Sequence, residues 1–206
     1  MQSHEPAQPL TLYDRVSVII YRAGIVVFSL LVLAGGIAMV LFLDKLTWKD
    51  ITLRDRPTHI VYFLSLYIAI GVSVGTIHLY AKRFRKLIRF LYLTALAGGV
   101  VLFIISGGSP LSFVLRNPLG PILLLPLAGT AGFIAMKEAF CFRFVEGYLL
   151  AIILPTVLLI MMLRSFSPSL TGAMIVFTGF LLLYLSWHKL RMPIGYDIGD
   201  KSLYEK

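Results

Sequence analysis

Apolar residues in this chain fill whole stretches instead of marking one face of a helix or alternating along a strand. Six such stretches stand out, near residues 16–43, 60–80, 87–106, 119–136, 147–163 and 170–187. A hydrocarbon layer of roughly 30 Å takes about 17–25 helical residues to cross. Inside lipid every backbone N–H and C=O must find a partner within the protein, which a helix provides by itself. The pattern therefore predicts an all-α fold: a polytopic membrane helical bundle of about six transmembrane helices, in a single integral membrane domain over residues 1–206. Gly107-Gly108-Ser109-Pro110 breaks the third stretch, Pro121 and Pro126 interrupt the fourth, and Pro155 lies inside the fifth. The fourth and fifth stretches are short, so a re-entrant pair is the alternative to two full crossings there. The first is too long for a signal-peptide core and has no basic residue ahead of Asp14, so it reads as an uncleaved span.

Composition changes the picture only by excluding alternatives. At 58% hydrophobic and 14% charged residues, with a mean hydropathy of +0.87, the chain lies far from a soluble domain, which carries about a quarter charged residues. A single cysteine, Cys141, excludes an internal disulfide and a multi-cysteine metal cage within one chain. The net charge of +9 would suggest nucleic acid for a soluble chain. Here it is instead a question of sides, and no nucleic-acid partner is expected. The segment up to Arg22, the links at 81–89 and 137–146 and the C-terminal tail hold thirteen Lys and Arg, against six in the other three loops. The densest cluster is Lys82-Arg83-Phe84-Arg85-Lys86. By the positive-inside rule, both termini are predicted on the cytoplasmic or, in a plastid, stromal side. That basic loop could alternatively bind anionic lipid head groups. Trp48 and Trp187 fall at opposite interfaces.

Small residues mark where helices meet in lipid. Gly71 and Gly75 form a GxxxG on the second span, Ala34-Gly35-Gly36 and Ala38 crowd the first, and Gly98-Gly99 the third. Ala128, Gly132, Ala135 and Ala139 share one side of the fourth. This supply argues for a tight bundle over a wide pore, and no internal repeat is visible.

The candidate chemistry gathers near span ends on the predicted inner side. On a continuous helix, His78 would share the face of Gly71 and Gly75 and could ligate haem, chlorin or a metal, or relay a proton. The plainer reading is an interfacial histidine bonded to a neighbouring carbonyl. If the fourth helix continues, Glu138 lies below the Ala131 and Ala135 face. A carboxylate at a helix C-terminus opposes the macrodipole and calls for a cation, with Arg22, His78 and His188 as candidates. Arg22, His78, Glu138, Cys141 and Glu146 would then form a polar cluster at the inner mouth of the bundle. Against this stands the simpler view that these groups mark the water interface, with Arg22 snorkelling and Glu138 in a loop salt bridge worth little. Cys141 alone could be a lipidation or redox site, though a small interfacial residue is the default. The tail 197–202 could dock a partner or fold back on the inner loops, with a solvated end as the default reading. No span carries a charge near its middle, which counts against ion-coupled transport. There is no P-loop, HExxH, histidine-rich box or nucleophile elbow.

Four stretches taken together, Tyr21-Arg22-Ala23-Gly24, Thr76-Ile77-His78-Leu79-Tyr80, Lys137-Glu138-Ala139-Phe140-Cys141-Phe142 and Asp197-Ile198-Gly199-Asp200-Lys201-Ser202, resemble a family. It is that of the uncharacterised integral membrane proteins grouped as a domain of unknown function, found mainly in cyanobacteria and plastids. The resemblance runs from about Tyr13 to Lys206. It implies a polytopic protein of a bacterial inner or thylakoid membrane and supplies no activity, cofactor or catalytic residue. The resulting expectation is a non-enzymatic protein that supports assembly or organisation of membrane complexes, with the lipid bilayer and other membrane proteins as partners. A small-molecule channel or transporter built on the proline-bearing spans is the second reading, and a haem, chlorin or metal protein using His78 the third.

Overall fold

A computed structural model of the chain describes residues 9–49, 51 and 56–199. The described residues form helices and connecting turns: α1 (Leu12–Phe42), α2 (Arg56–Thr76), α3 (Lys82–Ile105), α4 (Pro110–Arg116), a 3-10 turn (Gly120–Leu124), α5 (Leu125–Phe142), α6 (Val145–Leu163), α7 (Pro168–Arg191) and α8 (Gly195–Ile198). Among the described residues, six segments are long and apolar enough to cross a membrane, the 3-10 turn and α5 together making the fourth. The breaks follow from backbone chemistry. Gly107 and Gly108 adopt positive φ after α3, and Pro110 then starts α4, where a missing N–H costs nothing. Pro126 does not interrupt the fourth span as the sequence suggested. It sits in the first turn of α5, a position that needs no intrahelical N–H bond. Pro155 does lie inside α6.

The first helix is built to start where it does. Thr11 caps it, accepting from the Asp14 N–H at 3.2 Å, while the Asp14 carboxylate accepts from the Thr11 N–H at 2.8 Å. This reciprocal capping box satisfies donors that the first turn leaves open. At 31 residues α1 extends about 46 Å, so roughly a third of it reaches past a hydrocarbon layer. We call the end where α1 begins and α7 finishes the terminal end of the bundle, and the opposite one the far end.

Helix pairing follows the small residues, with one exception. The most extensive contact joins α1 to α7, followed by α1 with α2 and α5 with α6. Gly36 and Gly172 face each other across the first pair: a Cβ at Gly36 would lie 2.6 Å from the Val176 backbone N, and one at Gly172 2.7 Å from the Met39 Cβ. The α5 stripe packs on α6, where a Cβ at Gly132 would come within 3.2 Å of the Ala151 Cα. Gly75 is the exception. It is exposed and faces open space, and Gly71 meets only the Tyr92 phenol, so the GxxxG on α2 is not a helix–helix seam. Gly36→Leu should therefore force α1 and α7 apart. The expected cost is about 1–3 kcal/mol, seen as a lower unfolding temperature in detergent, whereas Gly75→Leu should leave that temperature unchanged.

Outward-facing Leu, Ile, Val and Phe side chains on α1, α2, α3, α6 and α7 are exposed, as the lipid-facing surface of a membrane bundle requires. Between α1, α2, α5, α6 and α7 lies an apolar pocket of about 130 Å³, lined by Phe28, Tyr62, Leu124, Leu127, Leu154 and Val157 among others, with neither Pro126 nor Pro155 in its lining. The Tyr62 hydroxyl donates to the Leu31 carbonyl at 2.9 Å and that of Thr178 to the Met174 carbonyl at 2.8 Å, so the wall's polar side chains are bonded.

Candidate functional site

The terminal end of the bundle contains a connected network of buried charges. Helix α5 does not stop at residue 136 but runs on to Phe142, which carries Lys137 and Glu138 inside it. Glu138, at 0% exposure, accepts from the Tyr21 hydroxyl at 2.5 Å and from Lys137 Nζ at 2.8 Å, both on Oε1. Its Oε2 pairs with Lys189 Nζ at 2.6 Å. Lys189, 1% exposed, bridges onward to Asp197. Arg22 closes the chain, donating to Asp197 Oδ2 through Nε at 2.9 Å and Nη2 at 2.5 Å.

Four elements place the six members: Tyr21 and Arg22 by α1, Lys137 and Glu138 by α5, Lys189 by α7 and Asp197 by α8. An isolated charge out of water costs several kcal/mol, so these groups are tolerated because they neutralise one another. Three cations face two carboxylates. The surplus positive charge is met by aromatic faces: Lys189 Nζ lies 3.7 Å from the Phe142 ring centroid, and Lys137 Nζ lies 5.1 Å from that of Tyr21 and 5.6 Å from that of Phe142. Negative ring faces stabilise such ammonium groups, most when water is absent.

The network fastens the end of the described chain. Beyond its carboxylate contacts, Arg22 donates to the Met192 carbonyl at 2.7 Å and to the Pro193 carbonyl at 3.2 Å. Residues 192–199 are thereby turned back against α1, and the Tyr80 hydroxyl donates to the Ile198 carbonyl at 3.3 Å. Further into the bundle, the Ser29 and Ser186 hydroxyls meet at 3.1 Å between α1 and α7.

Of the five residues the sequence singled out, the structure brings Arg22 and Glu138 into this network and leaves three outside it. Helix α2 ends at Thr76, so His78 lies in the turn after it and not on the glycine face; its Nε2 is 3.3 Å from the Ser17 hydroxyl. Cys141 is exposed on the last turn of α5. Glu146 pairs with His188 Nδ1 at 2.7 Å in a separate pocket. Three expectations change accordingly. Arg22 does not snorkel but is buried. The partner of Glu138 across the bundle is Lys189, not Arg22, His78 or His188. Asp197 is buried instead of opening a solvated tail, while Asp200, Lys201 and Ser202 lie outside the described residues.

Tyr21, Lys137, Lys189 and Asp197 are the network members that the cluster read from the sequence left out. For Lys189 a signal was present. Thr171, Gly172, Thr178, Gly179, Leu182, Leu185 and Ser186 form the buried face of α7, and Lys189 continues it three residues after Ser186. Asp197 carried no such periodic signal. Among the described residues, no three His, Cys, Asp or Glu side chains come together as metal ligands.

Residues 72–206 match a protein family whose description reads "Uncharacterized integral membrane protein (DUF2301)". A relative from Haemophilus influenzae (strain ATCC 51907 / DSM 11121 / KW20 / Rd), described as "Uncharacterized protein", is 31% identical over 207 residues, covering 96% of this chain and 95% of its own. No solved structure gives a significant match.

Proposed function

Because the chain belongs to the DUF2301 family of integral membrane proteins, we propose that it is a non-enzymatic organiser of membrane complexes, presenting a fixed polar surface at the terminal end of its bundle. The observation that carries this reading is the use made of the buried charges. Arg22, Lys189 and Asp197 hold a peptide segment, residues 192–199, against the helices. Ordering a segment costs backbone entropy of about 1–2 kcal/mol per residue. A chain that holds its end down with buried ions gains a surface of defined shape beside the basic 82–89 segment. A partner docking there meets a surface already ordered, which lowers the entropic cost of association.

The terminal end faces the cytoplasm in this reading, supported by thirteen of the nineteen basic residues lying in its segments. The bacterial source of the 31% identical relative favours a bacterial plasma membrane over a thylakoid. A second reading, passage of a small neutral solute, draws on the apolar pocket between the helices that carry Pro126 and Pro155.

The organiser reading predicts that mild crosslinking in native membranes captures the chain in a defined larger assembly. Arg22→Gln, which releases the 192–199 segment, should lose that assembly while the protein stays in the membrane. Recovery of the wild-type chain alone after crosslinking, or an assembly indifferent to Arg22, would overturn it.

A further inference from the structure

We propose that the terminal end of α7 carries a binding site for one anionic phospholipid, distinct from both the buried network and the basic 82–89 segment. Two cavities lie along this part of α7. One is a pocket of about 370 Å³ where the α5–α6 turn approaches the end of α7, lined by Phe142, Arg143, Phe144, Glu146, His188 and Arg191, among others. The other is an open apolar groove of about 580 Å³ between α7 and Val26 of α1, walled by Phe177, Phe180, Tyr184 and Trp187. Arg191 joins them: it lines the pocket, and its guanidinium stacks 4.2 Å from the ring centroid of Trp187 in the groove.

The charges in the pocket suit a phosphate. Glu146 is taken up by His188 at 2.7 Å, and His188 is wedged between Tyr184 and Phe144, with ring centroids 4.3 Å and 5.2 Å away. Arg143 and Arg191, both exposed, outnumber that one carboxylate and give the pocket a net positive charge. Guanidinium groups match phosphate oxygens in a planar, two-point geometry. The first turn of α6 forms part of the same wall, and no side chain caps its N–H groups, which adds donors for an anion.

The aromatic groove supplies the other half of the ligand. In water a furrow this apolar would be an unexplained exposed patch; in a membrane it is where an acyl chain lies. Basic pockets at the ends of transmembrane helices are recognised sites for anionic head groups. A head group at Arg143 and Arg191 with a chain along Trp187, Tyr184 and Phe180 fills both cavities at once. A soluble anion would use only the first.

Trp187 makes the site observable. In the full-length Trp48→Phe protein it is the sole tryptophan, since the chain holds two. The detergent-solubilised protein is titrated with phosphatidylglycerol or phosphatidylcholine carrying brominated acyl chains, and Trp187 quenching is followed. Phosphatidylglycerol should quench saturably at a lower concentration than phosphatidylcholine. Arg143→Gln, which leaves the Trp187 stack untouched, should raise that midpoint about fivefold, and Arg143→Gln with Arg191→Gln about thirtyfold, since a basic side chain near a lipid head group contributes roughly fivefold each. Equal quenching by the two lipids would overturn the proposal. So would a preference that survives the double change but disappears with Lys82→Gln, Arg83→Gln and Lys86→Gln, because the lipid would then sit on the basic segment. Displacement of the lipid by equimolar inorganic phosphate would make a soluble anion the occupant and overturn it equally.

Discussion

Lys189→Met is expected to destabilise the protein by about 1.5–3 kcal/mol, the cost of losing charge-assisted contacts to carboxylates that each keep another cation. The size follows from what is lost. Lys189 is the only group that touches both carboxylates of the network among the described residues, reaching Glu138 Oε2 at 2.6 Å and also pairing with Asp197. Methionine keeps most of the side-chain volume, so packing changes little and the loss is electrostatic. Glu138 would retain Tyr21 and Lys137, and Asp197 would retain Arg22, but each would face a low-dielectric wall on one side. Thermal unfolding in detergent measures the effect. Lys189→Arg gives the control: it keeps the positive charge between Glu138 and Asp197 and should retain much of the stability that methionine loses. A loss as large as that of Lys189→Met would mean that Lys189 acts through packing, not charge.

Asp197→Asn should act locally. Asp197 is the single acceptor shared by Arg22 and Lys189, and asparagine keeps its shape without its charge. The 192–199 segment would then be held by the two carbonyl contacts of Arg22 and the Tyr80 hydroxyl. A loss of about 3 kcal/mol in that segment raises its open population by about a hundredfold. Opening exposes the bond after Arg191 to trypsin, so the initial rate of cleavage there should rise by about that factor while the global unfolding temperature falls only slightly. A cleavage rate equal to the wild type would show that the segment is held by something other than the network.

These expectations differ in how visible their causes were in the chain itself. Span number, span order and the α5 packing stripe of Gly132, Ala135 and Ala139 could be read directly, because lipid imposes length and small residues impose close approach. Glu138 could be flagged because a carboxylate in the last turn of a helix opposes the macrodipole. His78 was misplaced by assuming that α2 continued past Thr76. The GxxxG of Gly71 and Gly75 failed as a packing signal because spacing alone does not say whether a helix faces that way. Gly36 and Gly172 have no partner glycine four residues away, yet neither has room for a Cβ where α1 meets α7.

The sequence by itself determined that this is a bundle of about six membrane-spanning helices, and which chain segments lie at the same end. Those properties depend on composition within single segments and on the parity of crossings, so no knowledge of neighbours is needed. Only the tertiary structure decided the pairing of charges. Tyr21 and Glu138 lie 117 residues apart, and Arg22 and Asp197 lie 175 apart. Which cation neutralises which carboxylate depends on helix rotation and on the return of residues 192–199 over α1. The same packing turned Arg22 and Asp197 from residues expected near water into buried partners, since a charge is stable out of water only where another element brings its counter-charge within reach.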